Sequence, residues 1–164
     1  MPIKDFKVAV IGFGATHQHD NEVGAEVARR LREKTPPEIP VLEQSGNALD
    51  LINAIEGSNL VILVDSSCTG AEPGTILRLD GSERPGYADW FPHYSTHSVG
   101  LCESFQVNRM LGTMPERMLL FCVEGSDYSQ GDGLSPAVES AIDKVVEMLL
   151  KELNDVPSSA IDPS

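Results

Sequence analysis

Residues 8–31 read VAVIGFGATHQHDNEVGAEVARRL and carry the clearest secondary-structure pattern in the chain. Val8 to Gly14 is an apolar, β-branched run that ends in glycine, which is typical of a buried strand. One apolar helical face follows, formed by Val23, Val27, Ala28 and Leu31. A polar loop, residues 15–22, joins the two segments. Because open α/β sheets bind ligands in the loops that leave the carboxyl ends of their strands, we expect the functional site at this loop.

The composition limits the classes of protein to which the chain can belong. It has 164 residues, with 12 basic and 25 acidic side chains and a net charge of −13. This length predicts one α/β domain over residues 1–153, followed by a flexible tail at residues 154–164. The charge argues against nucleic acid or an anionic membrane as a partner, since both attract basic proteins. No membrane span, signal peptide or disulfide framework is evident, so we predict a cytoplasmic protein.

Strand and helix patterns alternate along the rest of the chain. Strands are predicted at residues 41–43, 60–64, 75–79 and 117–123. Helices are predicted at residues 48–55, 95–111 and 136–153, and residues 80–95 show no clear periodicity. This order predicts the α/β class, as a three-layer αβα sandwich around a mostly parallel, twisted sheet of about five strands.

The glycines after the first strand suggest one possible ligand. Gly12-Phe13-Gly14 is the start of a dinucleotide-binding fingerprint, but His17 stands where the third glycine belongs. Glu43 matches the ribose-binding carboxylate only in part. A nucleotide-binding module is therefore an alternative, and a tight turn without any ligand is the simpler interpretation.

The loop after the first strand also contains metal-competent side chains. His17 and His19 would point to one side of an extended segment, an arrangement that suits a metal ion. Asp20, Asn21 and Glu22 could add oxygen donors. A helix N-cap at Asp20 or Asn21 is the competing interpretation, and it needs no metal.

Two further candidates are Asp65 and His97. Asp65 follows a wholly apolar strand, where a carboxylate needs either a partner or the amides of the exit turn. His97 lies at a predicted helix start for which Ser95 or Thr96 is the expected N-cap. The helix macrodipole there disfavours a charged imidazole, and a neutral ring is the form that binds metals. His93 could be its neighbour or only a loop residue.

Four motifs in this order resemble the hydrogenase maturation endopeptidases, which trim the C-terminus of the large subunit of nickel-iron hydrogenases. The resemblance covers the chain from about Val8 to Leu153. The motifs are Gly12-Phe13-Gly14-Ala15 with Asp20-Asn21-Glu22-Val23-Gly24, then Val64-Asp65, then His97-Ser98-Val99-Gly100-Leu101, and finally Gly133-Leu134-Ser135-Pro136-Ala137-Val138-Glu139.

The first motif departs from the family pattern at two positions. The usual Gly-Asn pair reads Gly14-Ala15, and the metal-binding glutamate falls on Asn21, with Glu22 one residue later. A neutral amide oxygen is a weaker ligand than a carboxylate, and a Glu22 side chain on a helix would point about 100° away. The third ligand is therefore open between Asn21, Glu22 and the pair His17 and His19.

The resemblance implies an aspartyl-type endopeptidase that removes the C-terminal extension of a nickel-loaded hydrogenase large-subunit precursor. Asp65 and His97 are the implied catalytic residues and, with Asn21, the implied metal ligands. The nickel is implied to arrive with the substrate, so the free protein needs no metal of its own. A non-cleaving, chaperone-like relative is the alternative. The substrate-reading loop of the family corresponds to Glu43-Gln44-Ser45-Gly46, which differs from the usual sequence and leaves the hydrogenase unidentified.

Overall fold

A five-stranded sheet lies at the centre of the computed structural model, which describes residues 6–15, 17–83 and 86–156. The strands lie in the order β2-β1-β3-β5-β4. Their bounds are β1 Val8–Phe13, β2 Val41–Gln44, β3 Leu60–Ser67, β4 Ile76–Asp80 and β5 Arg117–Glu124. All neighbouring strands are parallel except β4, which pairs antiparallel with β5 at one edge. The predicted α/β class with a mostly parallel sheet is confirmed.

Helices cover both faces of this sheet. Their bounds are α1 Val23–Arg32, α2 Ala48–Ile55, α3 Tyr87–Trp90, α4 Ser98–Leu111 and α5 Pro136–Asn154. Along β1, Val10 packs into a core with α1 and α5, while its neighbour Ile11 packs into a second core with α2 and α4. This alternation is what a strand buried on both faces requires, and it confirms the three-layer sandwich. Within the described ranges no helix is both long and apolar enough to cross a membrane.

Residues 80–95 are more regular than the sequence indicates. They contain α3 and a 3-10 turn at Phe91–Tyr94, although the sequence there shows no clear periodicity. Phe91 is fully buried. The centroid of its ring lies 5.2 Å from that of Tyr87 and 4.7 Å from that of Trp90. Aromatic packing orders this segment, and helices of four residues are too short to show periodicity.

The glycines near β1 serve close packing. A Cβ atom on Gly24, in the first turn of α1, would collide with the backbone oxygens of Phe13 and Val64. A Cβ on Gly12 would in turn collide with the backbone oxygen of Gly24. Both glycines therefore let α1 lie directly against β1 and β3. This packing accounts for the glycine pattern without a nucleotide.

The last two helices begin as helix-capping rules suggest, with one difference. Ser135 precedes Pro136 at the start of α5, as predicted. Helix α4 begins at Ser98 with His97 in the cap position, so the expectation that Ser95 or Thr96 caps it is wrong. Helix α5 ends at Asn154, and the predicted tail lies outside the described residues from 157 onward.

An acid-sensitive ion pair fixes the antiparallel edge strand. Asp80, 6% exposed, accepts hydrogen bonds from Arg117 Nη2 at 2.8 Å and from the Ser82 backbone and hydroxyl at 2.9 and 2.7 Å. Burial raises the pKa of Asp80, but these hydrogen bonds and the charge of Arg117 lower it by more than burial raises it. The resulting pKa is about 2.

We expect this pair to make stability depend on pH in acid. Because the folded pKa lies below the ordinary value of 3.8, the stabilisation is complete above about pH 4 and is lost as the pH falls towards 2. The loss should be about 2 kcal/mol. Urea unfolding between pH 5 and pH 2 measures it. Asp80→Asn should reduce the change in unfolding free energy with pH, and the exposed control Asp50→Asn should not. An equal pH dependence in both variants would contradict the assignment.

Candidate functional site

The predicted site lies at the carboxyl ends of two neighbouring parallel strands. The 3-10 turn His19–Glu22 follows β1, and Asp65 lies near the end of β3. The helices that follow, α1 after β1 and α4 after β3, cover opposite faces of the sheet. Such a topological switch point leaves a crevice at the strand ends, which is where open α/β sheets bind ligands.

Asp65 is a fully buried carboxylate surrounded by donors. Its Oδ1 atom accepts from the Ser66 backbone N–H at 2.7 Å, and its Oδ2 atom accepts from the Ser95 hydroxyl. His97 Nδ1 lies 3.0 Å from each carboxylate oxygen. Burying an ionised carboxylate is costly unless such partners replace its water. The exit-turn amide and a histidine partner, the two alternatives that the sequence leaves open, are both present.

His97 is held from two sides. Its Nδ1 atom faces Asp65, and its ring stacks on Phe13 with centroids 5.3 Å apart and an interplanar angle of 24°. Burial lowers the pKa of His97, but the hydrogen bond and charge of Asp65 together raise it above its ordinary value. The effect of the helix macrodipole, which disfavours a charged ring, is therefore opposed by the carboxylate in contact with His97. With Nδ1 engaged, Nε2 on the opposite side of the ring is the atom left for a substrate.

Asn21 lies in the 3-10 turn with its side-chain oxygen directed towards the same group of residues. Its Oδ1 atom accepts from Ser66 Oγ at 3.0 Å and from Thr96 Oγ1 at 2.9 Å. Its Nδ2 atom donates to Gln18 Oε1 at 2.9 Å. The amide therefore presents its oxygen, the end that can bind a cation, towards Asp65.

Thr96, like Ser66, is a site residue that sequence patterns did not indicate. Its hydroxyl oxygen lies 3.2 Å from Asp65 Oδ1, 2.8 Å from Ser66 Oγ and 3.3 Å from His97 Nδ1, in addition to its bond with Asn21. The sequence suggested only a capping role for it. Its position directly before His97 was the one available signal.

Asp20 fixes the turn that carries Asn21. It is fully buried and accepts from the backbone N–H groups of Ser126 at 2.7 Å, Asp127 at 2.9 Å and Ser135 at 2.8 Å. Burial raises the pKa of Asp20, but these hydrogen bonds lower it by more than burial raises it. The pKa of Asp20 therefore lies below its ordinary value. Asp20 thus joins the turn after β1 to the start of α5.

The neighbouring histidines and Glu22 lie apart from this group. His17 and His19 have φ angles of 61° and 46°, so the expectation of an extended segment with both rings on one side is wrong. His17 Nδ1 contacts Asp132, while His19 Nδ1 lies 2.9 Å from the backbone oxygen of Gly133. Glu22 Oε1 accepts from the His17 backbone N–H at 3.2 Å. These partners in a distant loop determine the unusual backbone angles.

The donors that remain are few. His93 is exposed on the 3-10 turn Phe91–Tyr94. Over the residues that the structure describes, no three His, Cys, Asp or Glu side chains form a group that could hold a metal ion. Asp65 and His97 are therefore two strong donors beside the neutral oxygen of Asn21. A pocket of about 430 Å³ adjoins His97, between residues 46–48 and the first turn of α4.

The fold and the site define an α/β protein with an Asp–His pair at its topological switch point. Comparison with known proteins makes the class specific: the chain belongs to the hydrogenase maturation protease family, whose model matches residues 22–152. It is 24% identical over 158 residues to the hydrogenase 2 maturation protease of Escherichia coli K12, covering 94% of this chain and 95% of that protein. It is 28% identical over 155 residues to the hydrogenase expression/formation protein HupD of Rhodobacter capsulatus, which covers 92% of this chain and 72% of that protein.

Solved structures share the fold. The hydrogenase maturating endopeptidase HybD from Escherichia coli superposes with a TM-score of 0.77 at 22% identity, covering 92% of this chain and 93% of that one. The maturation protease HybD from Thermococcus kodakarensis gives a TM-score of 0.71 at 20% identity. The superposition covers 90% of this chain and 99% of that one. The family match and the curated relatives make the chain a peptidase of this family, and the nucleotide-binding alternative is not supported.

The packing of His97 leads to a prediction about stability. Only 11% of its side chain is exposed. His97→Ala removes the Phe13 stack and leaves Asp65 with one donor fewer. We expect the free energy of unfolding to fall by about 1–3 kcal/mol in a chemical denaturation experiment. His93→Ala, at an exposed position, is the control and should change it little. Equal stability of the two variants would contradict this packing.

Proposed function

We propose that this chain removes the C-terminal extension of an immature nickel-iron hydrogenase large subunit, and that it recognises nickel already bound in that precursor. The observation that carries the proposal is the contact between Asp65 and His97, at 3.0 Å in the crevice between β1 and β3. Family membership and the names of the relatives support the class of reaction. The residue roles rest on the geometry.

Nickel enters this proposal as part of the substrate. Imidazole nitrogen and carboxylate oxygen are common ligands of such divalent ions, so Asp65 and His97 are the residues we assign to contact it. Asn21 supplies a third oxygen that is neutral and hence weaker.

Hydrolysis of a peptide bond needs one proton acceptor and one proton donor. A water molecule loses a proton as it adds to the scissile carbonyl carbon, and the leaving nitrogen gains a proton as the C–N bond breaks. We assign the first role to the Asp65 carboxylate, which makes the enzyme aspartyl-type. We assign the second role to His97, whose pKa is raised above its ordinary value by the hydrogen bond and charge of Asp65.

The cysteines support action in the cytoplasm. Cys68 and Cys102 are free and exposed, and Cys122 is free and buried. Exposed free thiols persist in reducing compartments, whereas secreted proteins generally pair them.

Cleavage is tested with a nickel-loaded precursor and mass spectrometry of the products. We expect the wild-type chain to shorten the precursor at its C-terminus. Asp65→Asn and His97→Ala should abolish this at a temperature where both variants remain folded, because each removes a proton-transferring group and a nickel contact. His93→Ala is the control that should cleave normally. A stable complex with an uncut precursor would instead establish the chaperone-like alternative.

Asn21→Glu tests the third position. Replacing a neutral donor by an anion beside a divalent cation should tighten binding by about 1 kcal/mol or more, roughly tenfold. Calorimetric titration with Cd²⁺ measures this, and Asn21→Ala should weaken binding less than Asp65→Ala does. If Asn21→Glu changes nothing while Glu22→Ala abolishes binding, Glu22 is the ligand. If only changes at His17 and His19 matter, the histidines form the site.

A further inference from the structure

Two hydroxyl groups connect all three residues assigned to the site. Thr96 Oγ1 lies 2.9 Å from Asn21 Oδ1, 3.2 Å from Asp65 Oδ1 and 3.3 Å from His97 Nδ1. Ser66 Oγ lies 3.0 Å from Asn21 Oδ1 and 2.8 Å from Thr96 Oγ1. Ser66 is fully buried and Thr96 is half-buried, so water competes little for these bonds. The two hydroxyls join the turn after β1, the end of β3 and the start of α4.

The number of protons in this cluster limits how it can be arranged. Each hydroxyl has one proton to donate, and the Thr96 proton has three oxygen acceptors within reach, Asn21 Oδ1, Asp65 Oδ1 and Ser66 Oγ. Ser66 can donate to Asn21 Oδ1, and the Thr96 proton is then shared between Ser66 Oγ and Asp65 Oδ1. Both acceptor oxygens are then satisfied although they share the same neighbours. Without the hydroxyls, the Asn21 amide oxygen would lose both of the donors that hold it in place.

We infer that Thr96 and Ser66 are positioning residues, which hold the Asn21 amide oxygen and the Asp65 carboxylate in place before the substrate arrives. The inference rests on the proposed function, because it concerns the groups assigned to meet the nickel of the precursor. A site whose donors are already placed loses no free energy in reorganising when the cation enters. The hydroxyls thereby make a neutral amide usable at this position.

Thr96→Val is a clean test because the backbone holds Thr96 independently. Its N–H donates to the Ser66 backbone oxygen at 3.3 Å, so valine keeps the position and shape while losing the hydroxyl. We expect Cd²⁺ affinity and kcat towards the nickel-loaded precursor to fall about 10-fold or more, and KM to rise because the nickel belongs to the substrate. Ser66→Ala should act in the same direction, and Thr96→Ser should restore both values.

Asn21→Ala combined with Thr96→Val shows whether the residues act together. Since both changes break the same cluster, the double variant should lose little more than either single variant. Thr113→Val is the matched control. The Thr113 hydroxyl is also half-buried and bonds an asparagine, accepting from Asn108 Nδ2 at 2.8 Å, but it lies beyond the far end of α4. This control should lower the melting temperature without changing kcat or Cd²⁺ affinity.

The outcomes separate this inference from the proposed cleavage. If the variants change Cd²⁺ affinity as expected but the wild type leaves the precursor intact, the inference stands and the proposed function fails. If the precursor is cleaved with the same kcat by the wild type, Thr96→Val and Ser66→Ala, the inference is overturned and the proposed function stands. A Thr96→Val variant that differs only in melting temperature also overturns it. A wild type that neither binds Cd²⁺ nor cleaves overturns both.

Discussion

The buried charge of Asp65 is the constraint on which the working end of this molecule depends. A carboxylate that is fully shielded from water must receive hydrogen bonds from the protein, and three of its donors come from consecutive residues, Ser95, Thr96 and His97. This requirement explains why α4 begins only at Ser98. The residues that helix-capping rules would place at its start are bonded to Asp65, and the Ser95 hydroxyl also accepts from the His97 backbone at 2.9 Å.

The sheet supplies the rigid frame for this arrangement. Asp65 belongs to β3, which is hydrogen-bonded to β1 on one side and β5 on the other, so its position has little freedom. The turn that carries Asn21 is fixed separately by Asp20, whose three backbone donors come from residues 126, 127 and 135. Two buried aspartates thus hold the two halves of the site, and the hydroxyls of Ser66 and Thr96 connect them.

Sequence patterns predicted the parts of this structure that depend on periodicity and on strand order. Buried apolar runs marked β1, β3 and β5. Parallel order alone brings Asp65 close to the loop after β1. The hydroxyl cluster could not be predicted in this way, because Ser66 and Thr96 have no pattern and meet Asn21 only through tertiary packing. The left-handed angles of His17 and His19 likewise arise from contacts with residues 131–133, more than 110 positions away.

Asn21 shows how one substitution changes the balance of charge in such a site. A second carboxylate next to Asp65 would repel it by about 4 kcal/mol at a separation of about 4 Å and an effective dielectric constant of about 20. A cation between the two carboxylates would offset this repulsion. In the free protein, without the cation, the repulsion would destabilise the site. The amide of Asn21 removes the repulsion and lets two hydroxyl protons assemble the site without an ion. Weaker attraction for a cation is the direct consequence, so a chain with asparagine here depends more on how firmly its donors are placed.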